Sequence, residues 1–542
     1  MSDYVWWRDG VIYQIYPRSF LDANGDGLGD LPGITARLDY IAALGVDAIW
    51  LSPFYPSPDK DFGYDIADHC AVDARFGTLA DFDALVESAH AHGLKVILDL
   101  VLNHTSDQHP WFQESKASQD NPRRNWYIWR DPAPGGKPPN NWPAFFGGSA
   151  WDLDPVSGQY YLHLFVKEQP DVNWRNPAAR QAQLDVVRFW LRRGADGFRL
   201  DVFNAYFKDE QLRDNPRGWL PIPFFGMQHI HDLDQPEMLP LLQELRAILD
   251  EYAVAGVSGE RYAVGETAFA TAPKAASYCG EDKLHAAFSF EFTGMAGFGA
   301  SGFNPAAIRR KILQREEAFT AAGVWPTTVM GNHDVARPAS RYCRGENDDK
   351  ARLAMALLLT LRGTPFLYYG DEIGMRQLSL RRSQIMDPAG KMFWPFYKGR
   401  DGCRDPMQWD NSPQAGFSSE TPWLPVHPDY PTRNVQAQSK DPESLLNFTR
   451  DLLRLRRNEP ALQRGAMKFV ESGSPQVLAY TRVHEGQTVL VLLNFSGLAA
   501  QTTAASLGEA WQLLYSAHRR KLPEKPASLA LEPYEVCLLV ST

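Results

Sequence analysis

The chain of 542 residues carries 55 basic and 65 acidic side chains, which give a formal net charge of −10. This balance argues against nucleic acid or an anionic membrane as the main partner, because both call for basic surface patches. The length is enough for about three to four average domains and for large cores that need no disulfides.

The cysteines and the N-terminus favour a reducing compartment. Five cysteines are scattered along the chain, and none is spaced as CxxC, so neither a disulfide framework nor a zinc site is predicted. The N-terminal MSDYVWWRDG has no signal-peptide pattern, and no run approaches the roughly 18 apolar residues of a membrane span. We therefore expect a cytoplasmic protein with no membrane partner.

Eight short apolar runs alternate with amphipathic segments along most of the chain. The predicted strands are 11–16, 48–51, 96–102, 197–200, 262–264, 287–290, 327–330 and 365–368. Several are followed by helical patterns, such as 79–92, which Gly93 ends. Strands that alternate with helices form parallel βαβ units, and eight of them predict an α/β fold, the closed (β/α)₈ TIM barrel. Catalytic groups are then expected at the C-terminal ends of the strands.

Two regions depart from a plain barrel. Residues 104–172 are aromatic and rich in Pro and Gly, and they predict a small domain inserted after strand 3. Beyond about Gly465 the pattern changes to alternating strands, which predicts a C-terminal antiparallel β-sandwich domain. The expected division is a barrel of residues 1–103 and 173–465, an inserted domain of 104–172 and a C-terminal domain of 466–542.

Four predicted strands end in polar, titratable residues, in the segments DLVLNH (99–104), GFRLD (197–201), VGE (264–266) and GNHD (331–334). Any one of them has an ordinary structural explanation, such as an Arg–Asp pair or a turn. Carboxylates at the mouths of several buried strands together predict one acidic site, since each is costly unless it is paired or used. Two or three carboxylates with no metal or phosphate motif nearby suit glycosyl transfer through an oxocarbenium-like transition state.

These motifs resemble those of the α-amylase family of glycoside hydrolases, in particular its exo-acting α-glucosidases and oligo-1,6-glucosidases. The resemblance runs from GVIYQIYPRSF through DFGYDI, DLVLNH, QPDVNW, GFRLD, VGET, GNHD and TPFLYYGDEIGM to RDPMQWD. QPDVN (169–173) is similar to the QPDLN signature of the oligo-1,6-glucosidase group. The resemblance implies a retaining α-glucosidase on short oligosaccharides, with transglucosylation, and no organic cofactor.

The resemblance also implies roles for individual residues. Asp201 would be the nucleophile, and Glu266 would be the general acid and base. Asp334 and His333 would bind the 2- and 3-hydroxyls of glucose. His104 would bind near the 6-hydroxyl, and Arg199 would orient Asp201.

The segments DFGYDI and RDPMQWD imply the mode of action. In the exo-acting enzymes their Asp and Arg, here Asp61 and Arg404, pair at the bottom of the pocket and hold the 4- and 6-hydroxyls. Tyr64 would be the stacking platform. A pocket sealed in this way predicts release of one glucose at a time and poor activity on starch. The alternative is an ordinary loop ion pair, usually worth under about 1 kcal/mol when exposed, but it leaves the motif context of both residues unexplained.

Linkage preference depends on the acceptor side. The Val202 that follows the nucleophile leans toward α-1,6 bonds, although one side chain there changes discrimination by only about 1 to 3 kcal/mol. Phe165, Phe203 and the segment 204–236 are expected to shape this side of the pocket.

An oxygen-rich loop, DANGDGLGDL (22–31), follows the first strand. Asp22, Asn24 and Asp26 alternate as in an EF-hand, but the twelfth position is Gly33 instead of a bidentate Glu, which excludes a calcium sensor. The resemblance instead implies a structural site for Ca²⁺ (or Mg²⁺). Its ligands would be Asp22, Asn24, Asp26, the Leu28 carbonyl and Asp30.

Two alternatives stay open. A glucosyl-transferring or isomerising relative, such as a sucrose isomerase or trehalose synthase, would use the same residues. A non-catalytic barrel of the kind found in transporter heavy chains would lack catalytic carboxylates and carry a membrane anchor. The expected partner is a small α-glucoside, and the expected assembly is a monomer or homodimer.

Overall fold

The computed structural model describes residues 4–218, 224–253, 259–293, 302–343, 347–503, 511–522 and 528–541. In these ranges no helix is both long and apolar enough to cross a membrane. All five cysteines are free thiols.

Eight parallel strands form the central sheet, which confirms the predicted barrel. They are β1 (Ile12–Ile15), β2 (Ala48–Leu51), β3 (Lys95–Leu100), β4 (Gly197–Leu200), β5 (Tyr262–Gly265), β6 (Ala286–Ala287), β7 (Thr327–Val329) and β8 (Thr364–Tyr368). The sheet runs in the order β7, β8, β1, β2, β3, β4, β5, β6. Adjacent strands are consecutive in sequence, except that β8 pairs with β1, and β7 and β6 are the two edge strands.

The barrel is nearly closed between β6 and β7. The predicted strand 287–290 is shorter in the structure because the chain leaves the sheet after Ala287. Thr327 bridges the seam with its side chain: its hydroxyl donates to the Ala287 carbonyl at 3.3 Å and accepts from the Ser289 amide at 3.4 Å.

Helices cover the outside of the barrel. They are Leu31–Thr35, Leu38–Leu44, Leu79–Ala91, Pro177–Arg192, Met238–Glu251, Ala272–Ser277, Pro305–Ala321, Asp349–Thr360 and Leu445–Asn458. The predicted helix 79–92 begins at a capping box between Thr78 and Asp81 and ends before Gly93, which has a left-handed φ of 75°. The remaining α-helices are Trp6–Asp9, Pro110–Ala117, Pro338–Tyr342, Pro388–Phe393, Val435–Lys440 and Pro460–Arg464.

The insertion between β3 and β4 contains a small antiparallel sheet of Trp129–Arg130, Trp151–Leu153 and Tyr160–Leu162. Its two ends are joined: the Val172 amide donates to the Asn103 carbonyl at 2.9 Å, and the Thr105 amide donates to the Pro170 carbonyl at 3.2 Å. The insertion therefore leaves the barrel and returns at one place, directly beyond β3.

The C-terminal region is antiparallel, as predicted. A five-stranded sheet of Ala466–Phe469, Val477–His484, Gln487–Asn494, Val536–Ser541 and Trp511–Ser516 lies with a two-stranded ribbon of Ala500–Thr502 and Leu529–Leu531. Apolar side chains from both, such as Leu490 and Leu531, form one buried cluster. The exact domain boundaries given above stay predictions.

Candidate active site

Two carboxylates leave neighbouring strands at the same level of the barrel. Leu200, the last residue of β4, is in register with Gly265, the last residue of β5. Asp201 and Glu266 follow directly, and the Glu266 amide donates to the Leu200 carbonyl at 2.9 Å. The ladder of the sheet thus fixes both backbones, which is the precise placement that acid–base chemistry needs.

The chain turns sharply after Asp201. Val202 has φ 36° and ψ 43°, in the left-handed region that a β-branched residue rarely adopts. Such a conformation costs roughly 1 to 3 kcal/mol and is found where the surrounding structure imposes it. The turn ends the strand at Asp201 and leaves its carboxylate facing the cavity.

Arg199 joins three carboxylates. Its Nη1 donates to Asp99 and to Asp201, both at 2.7 Å, and its Nη2 pairs with Glu266. Asp99 lies directly across from Arg199 in the β3–β4 ladder. One buried guanidinium therefore holds the acid groups that end β4 and β5 beside the one on β3.

Burial dominates the titration of this cluster. It raises the pKa of Asp201 well above its ordinary value, against the attraction of Arg199, and nearby Glu266 and Asp99 raise it further. Burial also raises the pKa of Asp99 to about 6, although Arg199 opposes the shift. Like charges in a confined site produce such shifts, which are frequent at catalytic centres.

Asp334 has the opposite environment. Arg404 Nη2 donates to its Oδ1 at 2.9 Å, and Arg400 Nη1 lies 3.4 Å from the same oxygen. Burial would raise the pKa of Asp334, but the guanidiniums of Arg400 and Arg404 oppose it and hold the pKa below its usual range. Asp334 is therefore a fixed anion at neutral pH.

The two predicted histidines are neutral. Burial lowers the pKa of both His104 and His333 to about 3. His333 contacts the Gln14 side chain at 2.8 Å, and its ring is stacked on Tyr64 with centroids 5.4 Å apart. Tyr64 also donates to Asp99 Oδ2 at 3.0 Å. These contacts place Tyr64 between the acid cluster and Asp334.

The prediction that Asp61 pairs with Arg404 is wrong, because a different arginine contacts Asp61. Asp61 Oδ1 pairs with Arg400 Nη2 at 2.5 Å. Arg404 is fully buried, and its guanidinium donates to the His333 carbonyl at 2.8 Å and to Asp334. Arg400, four residues earlier, is the side chain that reaches across to Asp61, and Asp387 holds it from the other side at 2.5 Å.

The QPDVN segment connects these groups to the insertion. Gln169 Nε2 lies 3.0 Å from His104 Nε2 and donates to Asp61 Oδ2 at 3.3 Å. Asp171 forms a buried ion pair with Lys208 at 2.6 Å, which links the end of the insertion to the loop after β4. The segment therefore links the residues at the bottom of the pocket to the end of the insertion.

Several of these groups line one cavity of about 1310 Å³; the predicted residues Arg199, His333 and Arg404 contact lining residues but do not line the cavity themselves. Its polar end contains six predicted residues from five motifs, namely Asp61, Tyr64, His104, Asp201, Glu266 and Asp334, and Phe165 lines it as expected. Phe203 does not line the cavity. It is buried against Tyr278 and against Gly265, where an added Cβ would lie only 2.2 Å from the Phe203 ring. Phe224 and Phe225, from the segment 204–236, line the cavity, while residues 219–223 lie outside the described residues.

The residues that sequence reasoning missed include Asp99, Arg400, Gln169 and a set of phenylalanines. Asp99 begins the DLVLNH segment but lies inside the predicted strand 96–102, so it lacks the strand-end position that identifies the other carboxylates; in the structure it is the penultimate residue of β3. Gln169 lies in the quoted QPDVN motif. Arg400 carries no such signal, because the loop that brings it to Asp61 is irregular.

The oxygen-rich loop does not fit a metal site as it is folded here. Asp22 accepts from the amides of Gly25 and Gly27, at 2.7 and 2.8 Å, and from the Ser418 hydroxyl. Asp30 accepts from the Gly33 amide and begins the helix Leu31–Thr35. Within the described ranges, no group of three or more His, Cys, Asp or Glu side chains is placed to hold a metal ion. The carboxylates are used to close the loop on itself.

Comparison with protein families agrees with this architecture. The model of the α-amylase catalytic domain matches residues 14–465, and that of the maltogenic amylase C-terminal domain matches residues 467–538. The chain is 46% identical over 507 residues to a probable α-glucosidase of Rhizobium meliloti (strain 1021), which covers 91% of this chain and 90% of the relative. It is 39% identical over 527 residues to the oligo-1,6-glucosidase of Parageobacillus thermoglucosidasius, with 91% of each covered.

Two solved structures have the same fold. The α-glucosyl transfer enzyme XgtA superimposes with a TM-score of 0.91 at 43% identity and 100% coverage of both chains. The trehalulose synthase MutB from Pseudomonas mesoacidophila MX-45 superimposes with a TM-score of 0.89 at 34% identity and 99% coverage of both.

Proposed function

Because the chain belongs to the α-amylase family of glycoside hydrolases, we propose that it removes single α-glucose units from the non-reducing ends of short α-glucosides by double displacement. It is a glycoside hydrolase of the α-glucosidase and oligo-1,6-glucosidase type. The observation that carries the proposed mechanism is the joining of Asp201 and Glu266, at the ends of adjacent strands, by the single guanidinium of Arg199.

In the proposed first step, Asp201 attacks the anomeric carbon while Glu266 gives a proton to the departing glycosidic oxygen. In the second step Glu266 takes a proton from water, which attacks the same carbon and releases Asp201. Arg199 positions both carboxylates. Because each step inverts the anomeric centre, the product keeps the α configuration.

Asp334 and the neutral His333 are proposed to bind hydroxyls of the reacting glucose. The charge of Asp334 is fixed by Arg404 and Arg400, so it accepts hydrogen bonds and favours positive charge at the anomeric carbon. His104 and the Asp61–Arg400 pair would hold the far side of the ring. A charged pair there leaves no passage for further sugar units, which is the basis for exo action.

The substrate range gives a direct test of exo action. We expect glucose release from maltose and isomaltose to be at least about tenfold faster than from soluble starch at equal concentrations of non-reducing ends, because a long chain must also fit the acceptor side of the pocket and a small misfit there costs about 1 to 3 kcal/mol. Product chromatography over time would show glucose as the first product. Internal cleavage of starch, seen as a fall in viscosity before glucose appears, would contradict the proposal. The preference of Val202 for α-1,6 bonds stays a prediction that the same panel tests.

Glucosyl transfer is proposed as a second outcome of the same intermediate. The α-glucosyl transfer enzyme and the trehalulose synthase share the fold along the full chain. Any hydroxyl compound that competes with water at the glucosyl-enzyme would give transfer. The non-catalytic alternative is not favoured, because it is expected to lack the carboxylates that this site brings together. A cytoplasmic location and a monomeric or homodimeric state stay predictions.

The calcium site of residues 22–30 is a prediction of the resemblance that the folded loop does not support. If Asp22, Asn24, Asp26, the Leu28 carbonyl and Asp30 bind Ca²⁺, or Mg²⁺, then a chelator should lower Tm while kcat of the folded enzyme is kept. If the loop is closed by its own amides, Tm should be equal in EDTA and in excess Ca²⁺. Thermal scans in both conditions, with Asp22→Ala as the control that opens the loop in either case, separate the two.

A further inference from the structure

Strand β1 places a buried amide, Gln14, directly behind the reaction site. The residue is 1% exposed. Its Nε2 lies 2.8 Å from His333 Nδ1 and 3.2 Å from Ser52 Oγ. A buried amide nitrogen has two hydrogens that need acceptors, and these two atoms are within reach of them. Gln14 is not among the side chains that line the cavity, so an effect on the reaction has to pass through His333.

The far side of the His333 ring determines which of its nitrogens carries the hydrogen. Nε2 lies 3.3 Å from Asp334 Oδ2 and 2.5 Å from the Tyr64 hydroxyl. The anionic Asp334 can only accept, and Tyr64 already donates its hydrogen to Asp99 at 3.0 Å. Both neighbours therefore require a hydrogen on Nε2. Because burial lowers the pKa of the ring to about 3, His333 is neutral, and its bare Nδ1 accepts from Gln14.

The hydrogen bonds behind the site all point in one direction. Gln14 donates to His333, and His333 donates to Tyr64. Tyr64 donates to Asp99, which Arg199 holds at 2.7 Å. A reversed Gln14 amide would break this order, because its oxygen would face the lone pair of a bare Nδ1. The chain therefore connects β1 to the guanidinium that joins Asp99 to the two carboxylates of the proposed mechanism.

The other neutral form of His333 would disturb the site. With its hydrogen on Nδ1, the ring would turn a lone pair toward the Asp334 carboxylate and the Tyr64 oxygen. It could then no longer donate to a hydroxyl of the bound glucose. The partner of one ring nitrogen decides whether the other carries the hydrogen, and Gln14 is that partner here.

We propose that Gln14 is a positioning residue for the proposed reaction, whose amide holds His333 in the neutral form that carries its hydrogen on Nε2. The ring then donates toward the wall of the cavity and the glucose bound there. This inference rests on the proposed function. The alternative is a purely structural role, in which the amide ties β1 to Ser52 at the end of β2.

Gln14→Glu separates these two roles. A protonated carboxyl at this place still donates to His333 Nδ1, as the amide does, whereas an ionised one can only accept and draws the hydrogen of the ring from Nε2 to Nδ1. The surrounding charges that act on the ring are one carboxylate and three guanidiniums, namely Asp334, Arg199, Arg400 and Arg404. They are the same in both proteins, so a new pH dependence belongs to the substituted side chain.

The expected result is a loss of activity that grows with pH. We expect kcat/KM of Gln14→Glu, divided by that of the wild type, to fall at least about tenfold between pH 5 and pH 8, since partners that orient a binding side chain are worth about 10- to 100-fold. Gln14→Met has no donor at any pH, so its loss should be at least about tenfold and the same at both pH values. A ratio for Gln14→Glu that stays constant between pH 5 and pH 8 overturns the inference.

Gln463→Glu is the matched control. Gln463 is 4% exposed, and its amide donates to the Arg457 carbonyl at 2.7 Å. It lies in the helix Pro460–Arg464, which packs against the C-terminal sheet. The variant also replaces a buried amide by a carboxyl, so Tm should fall, but its relative kcat/KM should stay constant with pH. An equal pH dependence in this control would mean that the effect comes from a buried charge in general, and would overturn the inference.

The position of the hydrogen is also measurable without activity. Long-range ¹H–¹⁵N spectra distinguish bare from protonated ring nitrogens, and a His333→Gln spectrum identifies this residue among the 13 histidines. We expect Nδ1 to be bare in the wild type at pH 7 and, in Gln14→Glu, to gain a hydrogen over the pH range in which activity is lost. A hydrogen on Nδ1 of the wild type overturns the inference. A bare Nδ1 in a wild-type protein that releases no glucose from any α-glucoside would instead overturn the proposed function.

Discussion

Asp201→Asn is expected to lower kcat on maltose by on the order of 10⁴-fold or more while the enzyme stays folded, because the amide cannot form the covalent intermediate. KM should change much less, since the residues proposed to hold glucose are untouched. Initial rates and far-UV circular dichroism of both proteins check this. Glu260→Gln is the control: Glu260 is an exposed carboxylate that accepts a hydrogen bond from Trp7, and this variant should keep normal activity.

The Asp201→Asn variant should also be more stable than the wild type at neutral pH. Burial raises the pKa of Asp201, so ionisation of its carboxyl opposes folding. The preference of the folded state for the protonated carboxyl contributes stability at low pH, and this contribution is lost as pH rises from the unfolded pKa, about 3.9, through the folded value. Asn removes that cost. The gain in Tm should be present at pH 7 and vanish below about pH 4. A lower Tm at pH 7 would mean that the Asp201–Arg199 pair is mainly structural.

Arg199→Gln is expected to be the most damaging single change to stability in the site. It would leave Asp99, Asp201 and Glu266 without their shared cation, and removal of one partner from a buried ion pair costs about 3 to 5 kcal/mol. The cost should shrink below about pH 4, where the carboxylates of both folded and unfolded chains are protonated. Urea denaturation at pH 7 and pH 3 measures this difference.

Activity of Arg199→Gln should fall by at least about 100-fold, and the pH of maximal activity should rise, because loss of the cation raises the pKa of the remaining carboxylates. Arg454→Gln is the control: this residue is 71% exposed in its pair with Asp451 and should change stability by under about 1 kcal/mol. If Arg199→Gln loses stability equally at both pH values, its role is packing instead of charge.

The barrel could be predicted because periodicity and strand ends are local signals. Apolar runs of three to seven residues locate buried strands, and a carboxylate at the end of such a run predicts the catalytic edge. Asp201 and Glu266 are both of this kind. Strand β6 is the exception, because its end depends on the seam with β7, where Thr327 replaces backbone pairing with a side-chain contact.

Contacts made by irregular loops could not be predicted in the same way. The partner of Asp61 is Arg400, since the fold of residues 385–404 buries Arg404 against Asp334. Phe203 was predicted at the acceptor side but packs under β5, because the left-handed Val202 turns the chain away. The phenyl rings that line the cavity come from distant segments between Phe145 and Phe396, and only the folded chain brings them together.

The central claim is that Asp201 carries the glucosyl group during turnover. It is tested most directly by trapping that intermediate with a 5-fluoro-α-glucosyl fluoride, whose intermediate hydrolyses slowly, followed by proteolysis and peptide mass analysis. The account predicts a single fluoroglucosyl label on the Asp201 side chain, in the peptide that contains GFRLD, and no label in Asp201→Asn. A label on Asp99, Glu266 or Asp334, or an enzyme that turns over the trap without any covalent adduct, would contradict it.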